Sequence, residues 1–133
     1  MIDLHDIRYL RIATPDLDQA VAFATRIVGL ELVAREGKAA YFRSDRVEMR
    51  GDTRDHTLVY YEGDPSQHAV GFDLKRAEDF DTIAAALEAA GAPAREGSAT
   101  EAESRRVKRV LFTRDPSGNA LEIVARPYHS GQR

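Results

Sequence analysis

The chain has 133 residues, 43% of them hydrophobic and 31% charged, which is enough for one globular domain with its own core. It contains no cysteine, which excludes disulfides, thiolate metal sites and a cysteine nucleophile, and only four histidines are present as nitrogen donors. The net charge of −3 argues against a nucleic-acid partner. No signal peptide opens the chain and no apolar run approaches the roughly 18 residues of a membrane span, so a cytoplasmic location is expected.

Residues 7–13 alternate as a strand, with Ile7, Tyr9, Arg11 and Ala13 on one face and Leu10 and Ile12 on the other. Thr14 is the expected N-cap of a helix with Pro15 in its first turn. Leu17, Ala20, Val21, Ala24, Ile27 and Val28 keep helical spacing up to the stop at Gly29. Strands follow at about 31–34, 39–44 and 56–62, and the polar segment 45–55 reads as a loop near a cleft or a dimer edge. The order then repeats. His68–Leu74 is a strand, and a helix over about 77–90 carries Phe80, Ile83, Ala84 and Leu87 and ends at Gly91. Strands are expected at about 93–96, 107–114 and 119–125. Residues 97–106 read as a mobile loop and 127–133 as a frayed tail. The basic cluster Arg105, Arg106, Lys108 and Arg109, near Arg114, reads as a solvated edge rather than a phosphate track.

Asp115-Pro116-Ser117-Gly118 has the chemistry of a tight turn between two strands, so 107–125 reads as a hairpin. Its second strand holds Glu122 in the middle, with Leu121 and Ile123 on the opposite face. A carboxylate there faces water or something that needs an anion, such as a metal. The expected fold is therefore α+β: a single domain over 1–126, made of two βαβββ modules at about 5–65 and 66–126. These form a curved eight-stranded mixed sheet around a cleft for a small ligand. The helices should pack outside, over Leu10, Ile12, Val70 and Phe72.

Four features in this order carry a resemblance: the duplicated pattern, the helix entry Thr14-Pro15-Asp16-Leu17, the helix exit Val28-Gly29-Leu30-Glu31-Leu32, and Asp115 through Ile123. Over residues 5–126 the chain resembles the vicinal oxygen chelate superfamily of glyoxalase I, bleomycin-resistance proteins and extradiol dioxygenases. It is most similar to one domain of the two-domain type I extradiol dioxygenases, through Val107–Ile123 and Arg54–Val59. In those enzymes typically only the C-terminal domain holds iron or manganese, and the N-terminal one is structural.

The resemblance implies a divalent metal (Fe, Mn, Ni or Zn) that grips vicinal oxygens of a substrate, or, as in the bleomycin-resistance proteins, no metal. Glu122 falls on the family's last-strand carboxylate. Tyr9 stands on the first strand where His, Gln or Glu is expected, and reads as a pocket-lining aromatic. Ala69 falls on the fifth-strand position, so His68 becomes a ligand only by a one-residue slip that flips the face. The mid-chain carboxylate of glyoxalase I is replaced by Val59 or Tyr60. Glu122 and His68 are thus the candidate metal ligands, and Tyr9, Arg11, Tyr60 and His56 the candidate ligand-binding residues. His56 also reads as an exposed loop histidine. Arg11 either receives a carboxylate or phenolate in its fork, or pairs with Glu122. Three readings follow: a metal-dependent enzyme acting on a catechol-like compound, a metal-free homodimeric binding protein, or the non-catalytic partner subunit of a dioxygenase.

Overall fold

A computed structural model describes residues 4–44 and 55–127. The expected loop at 45–55, apart from Asp55, lies outside the described residues, as do His129 and the expected tail beyond Pro127. The strands are β1 (Leu4–Thr14), β2 (Glu31–Glu36), β3 (Ala39–Arg43), β4 (Leu58–Glu62), β5 (His68–Leu74), β6 (Arg95–Glu96), β7 (Val107–Arg114) and β8 (Ala120–Pro127). The helices are α1 (Leu17–Ala22), which continues into a π-helical stretch Phe23–Val28, α2 (Phe80–Ala89) after a 3-10 turn, and α3 (Ala99–Ser104). The eight strands form one sheet in the order β2-β3-β4-β1-β5-β8-β7-β6. It is mixed, because β1 pairs with β4 and β5 with β8 in parallel while β2–β3, β3–β4, β6–β7 and β7–β8 are antiparallel. None of the described helices is long and apolar enough to cross a membrane.

The chain divides into two compact units. One is the stretch from Tyr9 to His68; the other takes the chain up to Arg8 together with the chain from Ala69. β1 is thus shared: Arg8 and His5 near its start lie 3.7 and 3.6 Å from the Asp73 carboxylate on β5.

In the first unit α1 begins at Asp16, not at the expected Thr14. Asp16 Oδ1 accepts the Gln19 amide at 3.1 Å, while the Thr14 hydroxyl accepts the amide of Asp16 itself. The side chain that reaches the amide three residues on takes the cap. Gly29 ends the helical run in the left-handed region at φ 86°, as its position predicts. The apolar stripe of this helix (Leu17, Val21, Ala24) packs on Ala40 and Phe42 of β3 and on Leu58 and Tyr60 of β4. It does not cover β1, so Leu10, expected under a helix, is 42% exposed, and Ile12 is only half-buried. The alternate residues Tyr9, Arg11 and Ala13 are buried, as is Arg8 near the start of the strand. In the second unit Phe80 and Ile83 of α2 pack on Leu74, Leu111, Ile123 and Ala125. Val70 and Phe72 are again half-buried rather than covered.

The expected mobile loop at 97–106 is instead α3, a helix with a complete capping box. Ser98 Oγ accepts the Glu101 amide at 3.1 Å, and Glu101 Oε1 accepts the Ser98 amide at 2.9 Å. Arg95 then forks onto the Glu101 carboxylate, donating at 3.0 and 3.2 Å. The hydrogen bonds from Arg95, and after them that from the Ser98 backbone, hold the Glu101 carboxyl down at about 2, against an ordinary value of 4.5. A carboxyl lowered on folding supports the folded state fully above its unfolded value and loses that support as pH falls through its folded one. Acidification should therefore withdraw that support from α3 progressively between about pH 4.5 and about pH 2. Side-chain NMR should show Glu101 titrating far below the exposed glutamates. A midpoint near 4.5 would show that the box and the Arg95 fork do not hold in solution.

Candidate functional site

Glu122 lies mid-strand in β8, in register with Phe112 of β7 and Gly71 of β5. Its neighbour Ile123 pairs with Leu111 and packs under α2, so Glu122 points to the face away from α2, as the alternation predicts. It is 3% exposed. Both carboxylate oxygens are taken by one guanidinium: Arg105 donates from Nε to Oε1 at 2.6 Å and from Nη2 to Oε2 at 3.0 Å. This is the parallel fork geometry in which an arginine–carboxylate pair is strongest. The expectation for Glu122 weighed a metal against Arg11 and did not include Arg105.

Arg105 is the residue that closes α3. Its Nη1 donates to the Glu101 carbonyl at 3.2 Å and to Ser104 Oγ at 3.1 Å, and its guanidinium carbon lies 4.8 Å from the Phe112 ring centroid. Arg106, the next residue, turns the chain into β7 with φ 58°. Within the basic cluster Arg106 is buried and Arg105 half-buried, which a solvated edge does not predict, while Lys108 is exposed as expected. Arg109 holds Glu96 and Asp81 at 2.8 to 3.0 Å and lies 4.0 Å from the Phe80 ring centroid, and these acids raise its pKa further. Folding thus matches Arg105 with Glu122 and Arg109 with Glu96 and Asp81.

The other candidates gather in the first unit. Arg11, Val59 and Tyr41 form one row across β1, β4 and β3, so Tyr9 and Arg11 share a face with Tyr41. His56 is no exposed loop residue; it is 4% exposed, its Nδ1 lies 3.1 Å from Asp55 Oδ2, and Asp55 is buried too. The Tyr9 ring stacks on it with centroids 5.7 Å apart at 25°, and Tyr41 meets it edge-on at 5.1 Å. The aromatic pocket around the histidine overrides the polar character of its sequence neighbours. The Arg11 guanidinium carbon lies 4.6 Å from the Tyr61 centroid. Tyr60 is in register with Ile12, on the opposite face from Arg11, and meets Phe42 edge-on at 6.0 Å in the helix-side core.

These placements test the metal that the resemblance implies, and the donor set does not fit it. Both oxygens of Glu122 are engaged by Arg105. His68 is exposed and three residues from Gly71, the register partner of Glu122, so it points to the other face of β5. Ala69, on the expected ligand face, has no donor atom. Among the described residues no group of three or more His, Asp or Glu converges as a metal site. The residues that sequence reasoning missed are Arg105, Asp55, Tyr41 and Tyr61. Ser98 followed by Glu101 was the available signal for α3 and hence for Arg105.

A mixed sheet built from two units, each with a strand, a helix and three further strands, and a carboxylate on its eighth strand, defines a class of paired-module proteins. The glyoxalase/bleomycin resistance protein/dioxygenase superfamily profile matches residues 6–123, and the chain belongs to that superfamily. It is 31% identical to the 1,2-dihydroxynaphthalene dioxygenase of Sphingobium xenophagum, over 99% of this chain and 45% of that protein. With the iron-dependent extradiol dioxygenase of Rhodococcus jostii (strain RHA1) it shares 28% over 91% of this chain and 39% of the relative. An extradiol ring-cleaving dioxygenase from B. fuscum has the same fold, with a TM-score of 0.81 at 21% identity, covering 96% of this chain and 34% of that one. The chain thus spans less than half the length of these relatives.

Proposed function

We propose that this chain binds a small catechol-like aromatic compound without building its own metal centre from Glu122 and His68, as a binding or partner domain of the extradiol dioxygenase kind. The observation that carries the reading is the divergence of those two side chains, one buried and one exposed on opposite faces of paired strands. The relatives supply the ligand class: one is named for 1,2-dihydroxynaphthalene and one for iron-dependent extradiol cleavage. On this chain Arg11, over the Tyr61 ring, offers a planar fork for a phenolate oxygen.

Under this reading Arg11 orients the ligand and no step of oxygen chemistry runs through Glu122. Titration calorimetry with 1,2-dihydroxynaphthalene, under argon, should give a Kd on the order of 0.1 mM, which suits a two-ring ligand. EDTA should leave that affinity unchanged, and Arg11→Met should weaken it about tenfold, the loss of one hydrogen bond to a charged group. Affinity that vanishes in EDTA, or oxygen uptake with ring cleavage by the purified chain, would sink the metal-free reading. The reading also includes a cytoplasmic homodimer, supported by exposed apolar side chains at Phe23, Ile27, Val28 and Leu32. Light scattering should then return twice the chain mass.

A further inference from the structure

We infer that Arg105, delivered by α3, is a built-in cation that occupies Glu122 in place of a metal. The inference rests on the metal-free reading above and names the residue that enforces it. Two hydrogen bonds at 2.6 and 3.0 Å leave neither oxygen of Glu122 without a charged donor.

The guanidinium is itself fixed rather than swinging on a flexible stem. The Glu101 carbonyl and Ser104 Oγ hold Nη1, and Phe112, the register partner of Glu122, lies beneath the guanidinium plane at 4.8 Å. The same ring has Arg95 at 4.4 Å, and Arg95 grips Glu101, the residue that caps α3. Cap, helix end and clamp are therefore one connected unit. Gly97 completes it: a Cβ there would come within 2.7 Å of Phe112 and 2.6 Å of Val110, so only a glycine lets the chain pass this close to the ring.

A comparison of the two halves points the same way. In the first half, β2 and β3 are joined by Gly37 and Lys38 alone. At the equivalent place in the second half, between β6 and β7, the segment 97–106 carries α3, with Arg105 as its C-cap. The extra helix is what brings the cation to the carboxylate. A buried ion pair contributes little over an apolar pair of the same shape, but leaving one partner alone is strongly destabilising. Arg105 therefore acts on Glu122 as a positioning and neutralising residue.

The test is a double-mutant cycle with a metal readout. Arg105→Met should lower Tm by about 10 °C, because it leaves the buried carboxylate uncompensated. Glu122→Gln in the same chain should restore at least half of that loss; if the single variant does not fold at all, recovery of a folded double variant is the same result. Losses that simply add would overturn the clamp. Mn(II) titrations followed by EPR should be identical for wild type and Glu122→Gln. Mn(II) held by the wild type and lost in Glu122→Gln would also overturn it. Stoichiometric Mn(II) held equally by both would overturn the metal-free reading above while supporting the clamp, since Glu122 would then not be the ligand.

Discussion

Phe80→Ala should lower the stability of the domain by about 4 kcal/mol, within the range for emptying a fully buried phenylalanine site. Phe80 opens α2 at 1% exposure and packs with Leu74, Ile83, Leu111 and Ile123, side chains from three strands and its own helix. No single neighbour can move into the vacated volume without leaving its own strand or helix contacts, so the cavity stays open and the cost sits high in the range. The ring is also the platform for Arg109, whose guanidinium carbon lies 4.0 Å from its centroid while the nitrogens hold Glu96 and Asp81. That network lies at the surface, and exposed pairs contribute about 0–1 kcal/mol, so the cavity term dominates. Arg109→Met, keeping the ring, should cost about 1 kcal/mol. Urea unfolding checks both: the midpoint should fall far more for Phe80→Ala, with the slope unchanged. A loss below about 2 kcal/mol would mean that α2 settles into the gap.

The periodicity that placed Phe80 in a core also made most of the architecture legible. Strand alternation and the stops at Gly29 and Gly91 gave both halves, and Asp115 closes its turn as its chemistry predicts. Its Oδ1 accepts the Ser117 and Asn119 amides at 3.0 and 2.9 Å, with Gly118 at φ 89°. The site was less legible, because a local pattern fixes a residue's face but not its register with another strand. That Tyr41 lies in one row with Arg11 depends on how β3, β4 and β1 pair. The segment 97–106 misled because its Gly, Ser and Glu composition suits a loop, while two side-chain contacts from Ser98 and Glu101 decide for a helix. Arg105, which that helix delivers, stayed out of view with it: a cation in a basic cluster looks solvated until folding brings a carboxylate to it. Leu10 failed for a different reason. Its face was read correctly, but the helix above it packs over β3 and β4 instead.

Tyr9→Ala should cost about 4 kcal/mol, and the contrast with Tyr9→Phe decides what the tyrosine is for. Tyr9 stands where the resemblance expects a metal ligand, yet it is 1% exposed and its ring stacks on His56 at 5.7 Å. His56 in turn lies between that ring and the edge of Tyr41, with Asp55 on its Nδ1. Removing the Tyr9 ring takes away one wall of the histidine's pocket and admits water beside a buried carboxylate. Tyr9→Phe keeps the wall and removes only the hydroxyl, which should cost about 1 kcal/mol. The His56 ring signals report the same distinction in an NMR spectrum. They should hold their ring-current shifts in Tyr9→Phe and lose them in Tyr9→Ala. If instead the Phe variant is as damaging as the Ala variant, the hydroxyl rather than the ring is what the fold requires. Tyr9 would then be a polar site residue rather than the aromatic packing element that its stacking on His56 indicates.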